Sequence, residues 1–537
     1  MKKVLMTLIV SLAFCGSVLA QETHWPGFDY HNFKYHNQVI ARVQIDGELI
    51  TGNDDYESFE VCPFVGNQQR GYNGFMVFDP DFGDLYPIVD LAVYFDNSEE
   101  SVSFMLYDHS GTGTLYEYCE PSETVVTGQD FGQYDDMGTP IVLNFRTVQT
   151  FEKVIYGYGT ATTGNYYLIA SPVINDVTPT ADNGFLTNAY DLYRFNQTAE
   201  LEWENWKDEN FQNNYHFDLV NGKGYLYANS GNVNNNPNTV TLTFEGVSYL
   251  GDGVIDLDYE SGNNFTGWNL IGNPFATEAI LDQPFYKMNG EGTALTAKIE
   301  DLTTTIDAME GVFVEATEEG QSVTFTPQLP AKNGEQQVIA KTNILVIGNE
   351  GKVMDNAIVR FDGGATLGKF QLNANSTKVY IPQDGKDYAI VSAGEMGEIP
   401  VSFKAENNGS YTLSFTNEEV TFSYLHLIDN MTGNDVDLLE TSTYSFNAQT
   451  TDYASRFKLV FVTGNSAEDN FAFNSNGNWI ISNEGEATLQ VIDVTGRILS
   501  SETINGSCSK AINAASGVYM LRLINGNDVK VQKMVVR

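Results

Sequence analysis

Basic residues are scarce in this chain. Lys and Arg number 28 against 70 Asp and Glu, a formal charge of −42 over 537 residues. A nucleic-acid surface needs a cationic footprint, so phosphate-backbone binding is disfavoured as a main activity. Cysteine and histidine are also rare, at 4 and 6. No CxxC or Cys/His cluster occurs, and no histidine falls in an HExxH or other ligand spacing, which argues against a structural zinc site. A GxSxG elbow, a Gly-rich phosphate loop and a recognisable cysteine nucleophile are missing as well. After the N-terminus no stretch approaches the ~18 unbroken apolar residues of a membrane helix. These gaps favour a protein that binds over one that catalyses. Carboxylate pairs abound among 70 acids, so a glycan- or peptide-active hydrolase with a scattered acid dyad is the alternative.

What is present points to an all-β chain, several consecutive β-sandwich domains ending in a small β-sandwich. Glycine, tyrosine and phenylalanine are abundant (48, 29 and 33), and short alternating runs are separated by turn residues. Residues 1–20 read as a secretory signal peptide: Lys2-Lys3, an apolar run too short to span a bilayer, then Val18-Leu19-Ala20 before the expected cut. Removing its two lysines makes the remainder −44 (−42 less two positive charges). An N-terminal β-sandwich is expected over 21–146, an internally duplicated β domain over 163–328, and a β-sandwich spacer over 329–463. Residues 147–162 read as a connector. Cys62 and Cys119 share the first domain, where they either pair in an oxidising compartment or lie buried separately; Cys508 has no partner.

The duplication is carried by matched segments in the same order. Leu168-Ile169-Ala170-Ser171-Pro172 returns as Leu270-Ile271-Gly272-Asn273-Pro274, and Gly224-Tyr225-Leu226-Tyr227-Ala228 as Gly311-Val312-Phe313-Val314-Glu315-Ala316. Between the repeats Trp203 and Trp206 stand among acids. Indole faces beside carboxylates suit a carbohydrate, although a pair closing the core is the plainer reading. Trp25, Phe28, Tyr30, Phe33 and Tyr35 crowd the N-terminal end, with the same two readings: core packing or stacking on sugar rings. Asp79, Asp81 and Asp84 fall within one turn, a grouping that hard Ca²⁺ would use, so calcium is the one cofactor the sequence suggests. Their spacing is not that of an EF-hand, and a solvated acidic turn is the plainer reading.

The C-terminal stretch is different in charge, with six acids and six bases from Asp469 onward. In Leu489–Val494 the β-branched residues cluster, and Thr495-Gly496 makes a turn in which glycine takes positive φ cheaply. Gly517-Val518-Tyr519 opens a second such unit, and the chain closes on Lys533-Met534-Val535-Val536-Arg537. With Asp493-Val494-Thr495-Gly496-Arg497 these segments resemble the C-terminal sorting domain of the Bacteroidetes type IX secretion system, over 471–537. The resemblance implies sorting-signal roles for Asp493, Thr495, Gly496, Arg497, Gly517, Tyr519, Lys533 and Arg537. It also implies the type IX machinery as partner and export through the periplasm to the medium or the outer-membrane surface. Tyr424–Asn430 with Thr432-Gly433 resembles the β-sandwich that often precedes such a domain. The expected activity is then adhesin-like, with a glycan or a host or bacterial surface protein as ligand.

Overall fold

The computed structural model describes residues 23–25, 27–52, 54–72, 74–76, 87–132, 140–160, 165–199, 202–207, 216–290, 292–328, 338–464 and 470–537. The protein is all-β: among the described residues the only helical turns are two of 3-10 type, Tyr30–Asn32 and Tyr56–Ser58. No helix among them is long and apolar enough to cross a membrane. Two compact units are formed, one from the chain up to Thr150 with Glu245–Val247, the other from Phe151–Phe244 with Ser248–Arg537.

Two sheets make the first unit. Tyr35–Ile45 runs antiparallel to Val89–Phe95 and parallel to Ile141–Phe145, while Phe59–Val65 runs antiparallel to Ser103–Asp108. Side chains alternate across a strand, so Val39, Ala41 and Val43 turn inward with Leu91 and Val93 to meet Val61, Phe104 and Leu106. His36, Gln38 and Tyr94 take the opposite face. Alternation also settles the cysteines. Val61 faces the core that Cys119 packs against, so neighbouring Cys62 faces away from it, and both thiols are free. Burial, then the charge of Glu60, pushes the Cys62 thiol up to about 12.

The stretch expected as a connector contains a nine-residue strand, Val148–Tyr156, in a ribbon with Thr239–Val247. Only Ile155 is buried along it, so no apolar alternation announces the strand. The two matched halves that follow share one strand order. In the first, Tyr167–Ala170, Gly224–Asn229, Tyr190–Phe195 and Trp203–Asn205 lie side by side in that sequence. In the second the order is Trp268–Gly272, Gly311–Glu315, Phe285–Met288 and Leu295–Lys298. Each half has its own core, around Phe185, Tyr227 and Phe244 in one and Phe285, Val314 and Phe325 in the other. The strand-opening glycines Gly224 and Gly311 occupy equivalent positions and meet where the halves cross. A Cβ on Gly311 would lie 3.3 Å from the Gly224 Cα, one on Gly224 2.6 Å from the Ile271 carbonyl oxygen, and one on Gly272 2.4 Å from the Ala170 Cβ.

Eleven strands spanning Lys341–Ile347 to Phe457–Thr463 follow, ten in one hydrogen-bonded path and Leu367–Gly368 branching off it beside Lys386–Ser392, curled round a core of Ile344, Val359, Val379, Leu413, Leu427 and Phe461. This region is tied to the second half by Phe370, whose ring centroid lies 4.4 Å from that of Phe313 and 4.7 Å from that of Trp268. Its amide donates to the Tyr286 hydroxyl at 3.0 Å. Fully burying an aromatic of this kind is worth roughly 1.5–3 kcal/mol, so the seam is a packed continuation of the core.

The last region is a sandwich. Ala472–Ser475, Asn478–Ile481 and Cys508–Ala511 form one sheet; Ile498–Asn505, Glu486–Asp493, Gly517–Asn525 and Asp528–Val536 form the other. Trp479, Leu489, Leu521, Leu523 and Met534 fill the space between. The first sheet presents Ile480 and Phe473 to Tyr424, Val460 and Val462 of the preceding region, and the Ser475 hydroxyl donates to Glu398 at 2.7 Å. The second sheet turns Val529, Val531 and Val535 to solvent.

Candidate functional site

Asp493 ends its strand at a hairpin tip, and its carboxylate organises the tip. Oδ1 accepts from the Thr495 amide (2.9 Å), the Thr495 hydroxyl (2.6 Å) and the Arg497 amide (3.0 Å); Oδ2 accepts from Arg497 Nε at 3.1 Å. The chain reverses through Gly496 at φ +85°, a left-handed conformation that glycine adopts without Cβ strain. The Thr495 hydroxyl bond is the largest influence on the acid and, with the two amides and Arg497, outweighs desolvation, holding Asp493 down at about 2. The motif residues thus fold onto one another and leave Val494 and Arg497 outermost, each about three-quarters exposed (75% for the residue, 74% for the side chain).

Tyr519 acts at the next strand. Its hydroxyl donates to the Ala515 carbonyl at 2.8 Å and its ring stands 6.4 Å from Trp479, which latches the preceding loop to the domain's core. Gly517 opens the same strand, opposite Val536 in register. Lys533 lies on the solvent-facing side of the terminal strand, opposite Met520, and Arg537 is the exposed last residue. Asp493, Thr495, Gly496 and Arg497 therefore form one local constellation. Gly517 and Tyr519 lie on the neighbouring strand and Lys533 on the one beyond it, with Arg537 following that last strand.

The tryptophan pair does not make a common platform. Trp203 opens the strand Trp203–Asn205, whereas Trp206 lies in the turn just past it, so the two rings are held by different parts of the backbone. Trp203 packs against Phe195 and Phe313, at 5.2 and 5.9 Å. Trp206 joins the first-half cluster, stacks on His216 at 4.0 Å and donates through Nε1 to the Phe217 carbonyl at 3.1 Å. Asp79, Asp81 and Asp84 lie outside the described residues. A cleft of about 440 Å³ opens beside Trp268, bordered by Tyr259, Asn264, Thr266, Lys386 and Asp387. Glu315 closes one wall, with Oε1 taking the Lys386 ammonium at 2.6 Å and Oε2 the Gly368 amide at 2.8 Å. Hydroxyl, amide and charged groups line it, a set suited to a polar ligand. No local sequence pattern signals this cleft, because its residues come from four separate stretches.

The decisive comparison concerns the terminal sandwich. Residues 465–537 match the secretion system C-terminal sorting domain. The chain is a type IX secretion cargo protein. Such a domain implies handling by the type IX machinery and a secreted or cell-surface location for this cargo. Among curated proteins, the minor fimbrium subunit Mfa5 of Porphyromonas gingivalis is 24% identical over 371 residues, covering 57% of the cargo chain and 28% of that protein. The cargo thus spans under a third of that relative's length. A solved biofilm-associated protein, BSP domain, aligns over 97% of this chain and 99% of its own at 9% identity with a TM-score of 0.13, a value that carries no argument about fold.

Proposed function

We propose that this cargo is an adhesin-like surface protein that binds a glycan or a protein without turning it over. The observation that carries the reading is the sorting domain at 465–537 on a chain otherwise made of β regions. The fimbrium-subunit relative agrees with it. Support also comes from the first unit, whose exposed tyrosines Tyr30, Tyr35 and Tyr72 are the kind of rigid, amphipathic rings that binding surfaces favour. The test is to present the purified full-length secreted chain to arrays of glycans and of host and bacterial surface proteins, with product release followed in the same wells. Binding without product is expected. Product release would sink the reading and direct attention to paired carboxylates.

A further inference from the structure

The N-terminal aromatics do not all enter the core. Tyr30, on the first 3-10 turn, and Tyr72 are 42% and 46% exposed, and with half-buried Tyr94 they form a near-equilateral triangle. Ring centroids stand 6.3 Å apart for Tyr30–Tyr72, 5.9 Å for Tyr30–Tyr94 and 6.4 Å for Tyr72–Tyr94. The rings are mutually tilted by 50°, 41° and 82°, so they make the walls of a shallow cradle instead of a flat stack.

The cradle is held from beneath. Phe28 touches Tyr72 and Tyr94 at 5.4 Å each and stacks on Phe33 at 5.6 Å. Phe33 in turn lies under the Arg70 guanidinium at 5.2 Å, which is fixed by a two-pronged pair with Glu100 at 3.2 Å on each arm. Backbone bonding adds to this, since the Tyr94 amide donates to the Arg70 carbonyl at 2.6 Å. The ordering entropy of the rings is thus already spent in the fold, a condition for tight binding of a small rigid ligand. Burial first, then the phenols of Tyr72 and Tyr30, hold Tyr94 above the ordinary tyrosine range, as expected for hydroxyl-bearing rings that converge.

Polar groups continue along the same sheet face. His36 pairs in register with Tyr94, and two residues further Gln38 donates through Nε2 to both Asp90 oxygens at 2.9 and 3.0 Å. At the other border Asp29 accepts from His31 Nδ1 at 2.9 Å. Aromatic walls beside carboxylate and amide groups match a saccharide, whose CH face is apolar and whose hydroxyls donate and accept. The chain's charge of −42 disfavours a polyanion. A protein ligand would want a broader apolar floor than three rings with a polar row at their edge.

We propose that Tyr30, Tyr72 and Tyr94 form a saccharide-binding cradle for an uncharged glycan, with His36, Gln38 and Asp90 as its hydroxyl-binding edge. The inference rests on the surface-binding reading above and names its site. It is tested with the full chain on an array of neutral oligosaccharides, including N-acetylchitohexaose, maltohexaose and mannohexaose, with titration calorimetry on the best binder. Tyr30→Ala with Tyr72→Ala should weaken binding about tenfold or more, while Tyr30→Phe with Tyr72→Phe keeps most of it, because the rings do the stacking. Both positions are exposed, so the melting temperature should hold; Tyr453→Ala, in the other unit, is the control. Unchanged glycan affinity in the double alanine variant overturns the cradle and leaves the surface-binding reading intact. So does a chain that binds surface proteins and no neutral glycan. Binding of neither class defeats both.

Discussion

At the level of single residues, two aspartates do similar work. Asp429 ends a strand of the region before the sorting domain, as Asp493 ends one within it, and each accepts from the backbone two residues on, Met431 at 3.0 Å and Thr495 at 2.9 Å. In both turns a glycine at positive φ follows, Gly433 and Gly496. Their surroundings separate them. Asp493 is at the surface, and its low pKa comes from local hydrogen bonds. Because the fold depresses it from about 3.9, its stabilising contribution is complete above that value and is lost as pH falls through 2. An NMR titration of the Asp493 carboxyl should find a midpoint near 2, and Thr495→Val should move it upward toward the ordinary value.

Asp429 is fully buried with Arg456, which reaches it through Nε at 3.2 Å and a terminal nitrogen at 2.9 Å while the Tyr444 hydroxyl donates at 3.0 Å. Burial alone would raise this acid; Arg456 and the backbone and Tyr444 bonds overcome it and lower its pKa. Removing one partner strands a buried charge, so Asp429→Ala should cost about 3–5 kcal/mol in denaturant unfolding. The Cys62 thiol, held near 12, should stay unlabelled by a thiol reagent at neutral pH in the folded chain and react once it is unfolded.

At the level of elements, the matched halves depend on what is missing from their crossing strands. Gly224, Gly272 and Gly311 allow two backbones to approach where any Cβ would meet a carbonyl oxygen or another backbone atom. Gly272→Ala should therefore destabilise by about 1–3 kcal/mol, the usual range for overpacking, read as a lower denaturation midpoint. The same substitution at Gly351, where an added Cβ meets nothing within 4 Å but φ is +75°, tests strain without crowding. The sequence shows these halves clearly because the matched strands Tyr167–Ala170 and Trp268–Gly272, and Gly224–Asn229 and Gly311–Glu315, are buried almost throughout. It shows Val148–Tyr156 poorly because one buried residue cannot make a period.

For the whole molecule, the terminal sandwich has one outer side against the preceding region and the other facing water with Val529, Val531 and Val535. A sorting domain must be accessible to the machinery that reads it, and the second side meets that need. Deleting residues 471–537 should leave the cargo in the periplasm, measured by fractionation and by protease access on intact cells. Surface display of the shortened chain at the normal level would refute a sorting role for these residues.

The sequence by itself determined what depends on local pattern: an all-β chain from alternation and turn residues, the repeated strand segments from their order, and the terminal domain from Asp493-Val494-Thr495-Gly496-Arg497 and its neighbours. These are legible because hydrogen bonds within a turn and the two-residue period of a strand involve residues close in the chain. Tertiary structure decided which core each face of a strand meets. It sent Trp203 and Trp206 into separate clusters, turned Cys62 away from the core that Cys119 lines, and brought Tyr30 to Tyr72 and Tyr94 across more than forty residues. Contacts of that kind follow from strand register between distant segments, and one chain's composition and spacing do not encode register in readable form.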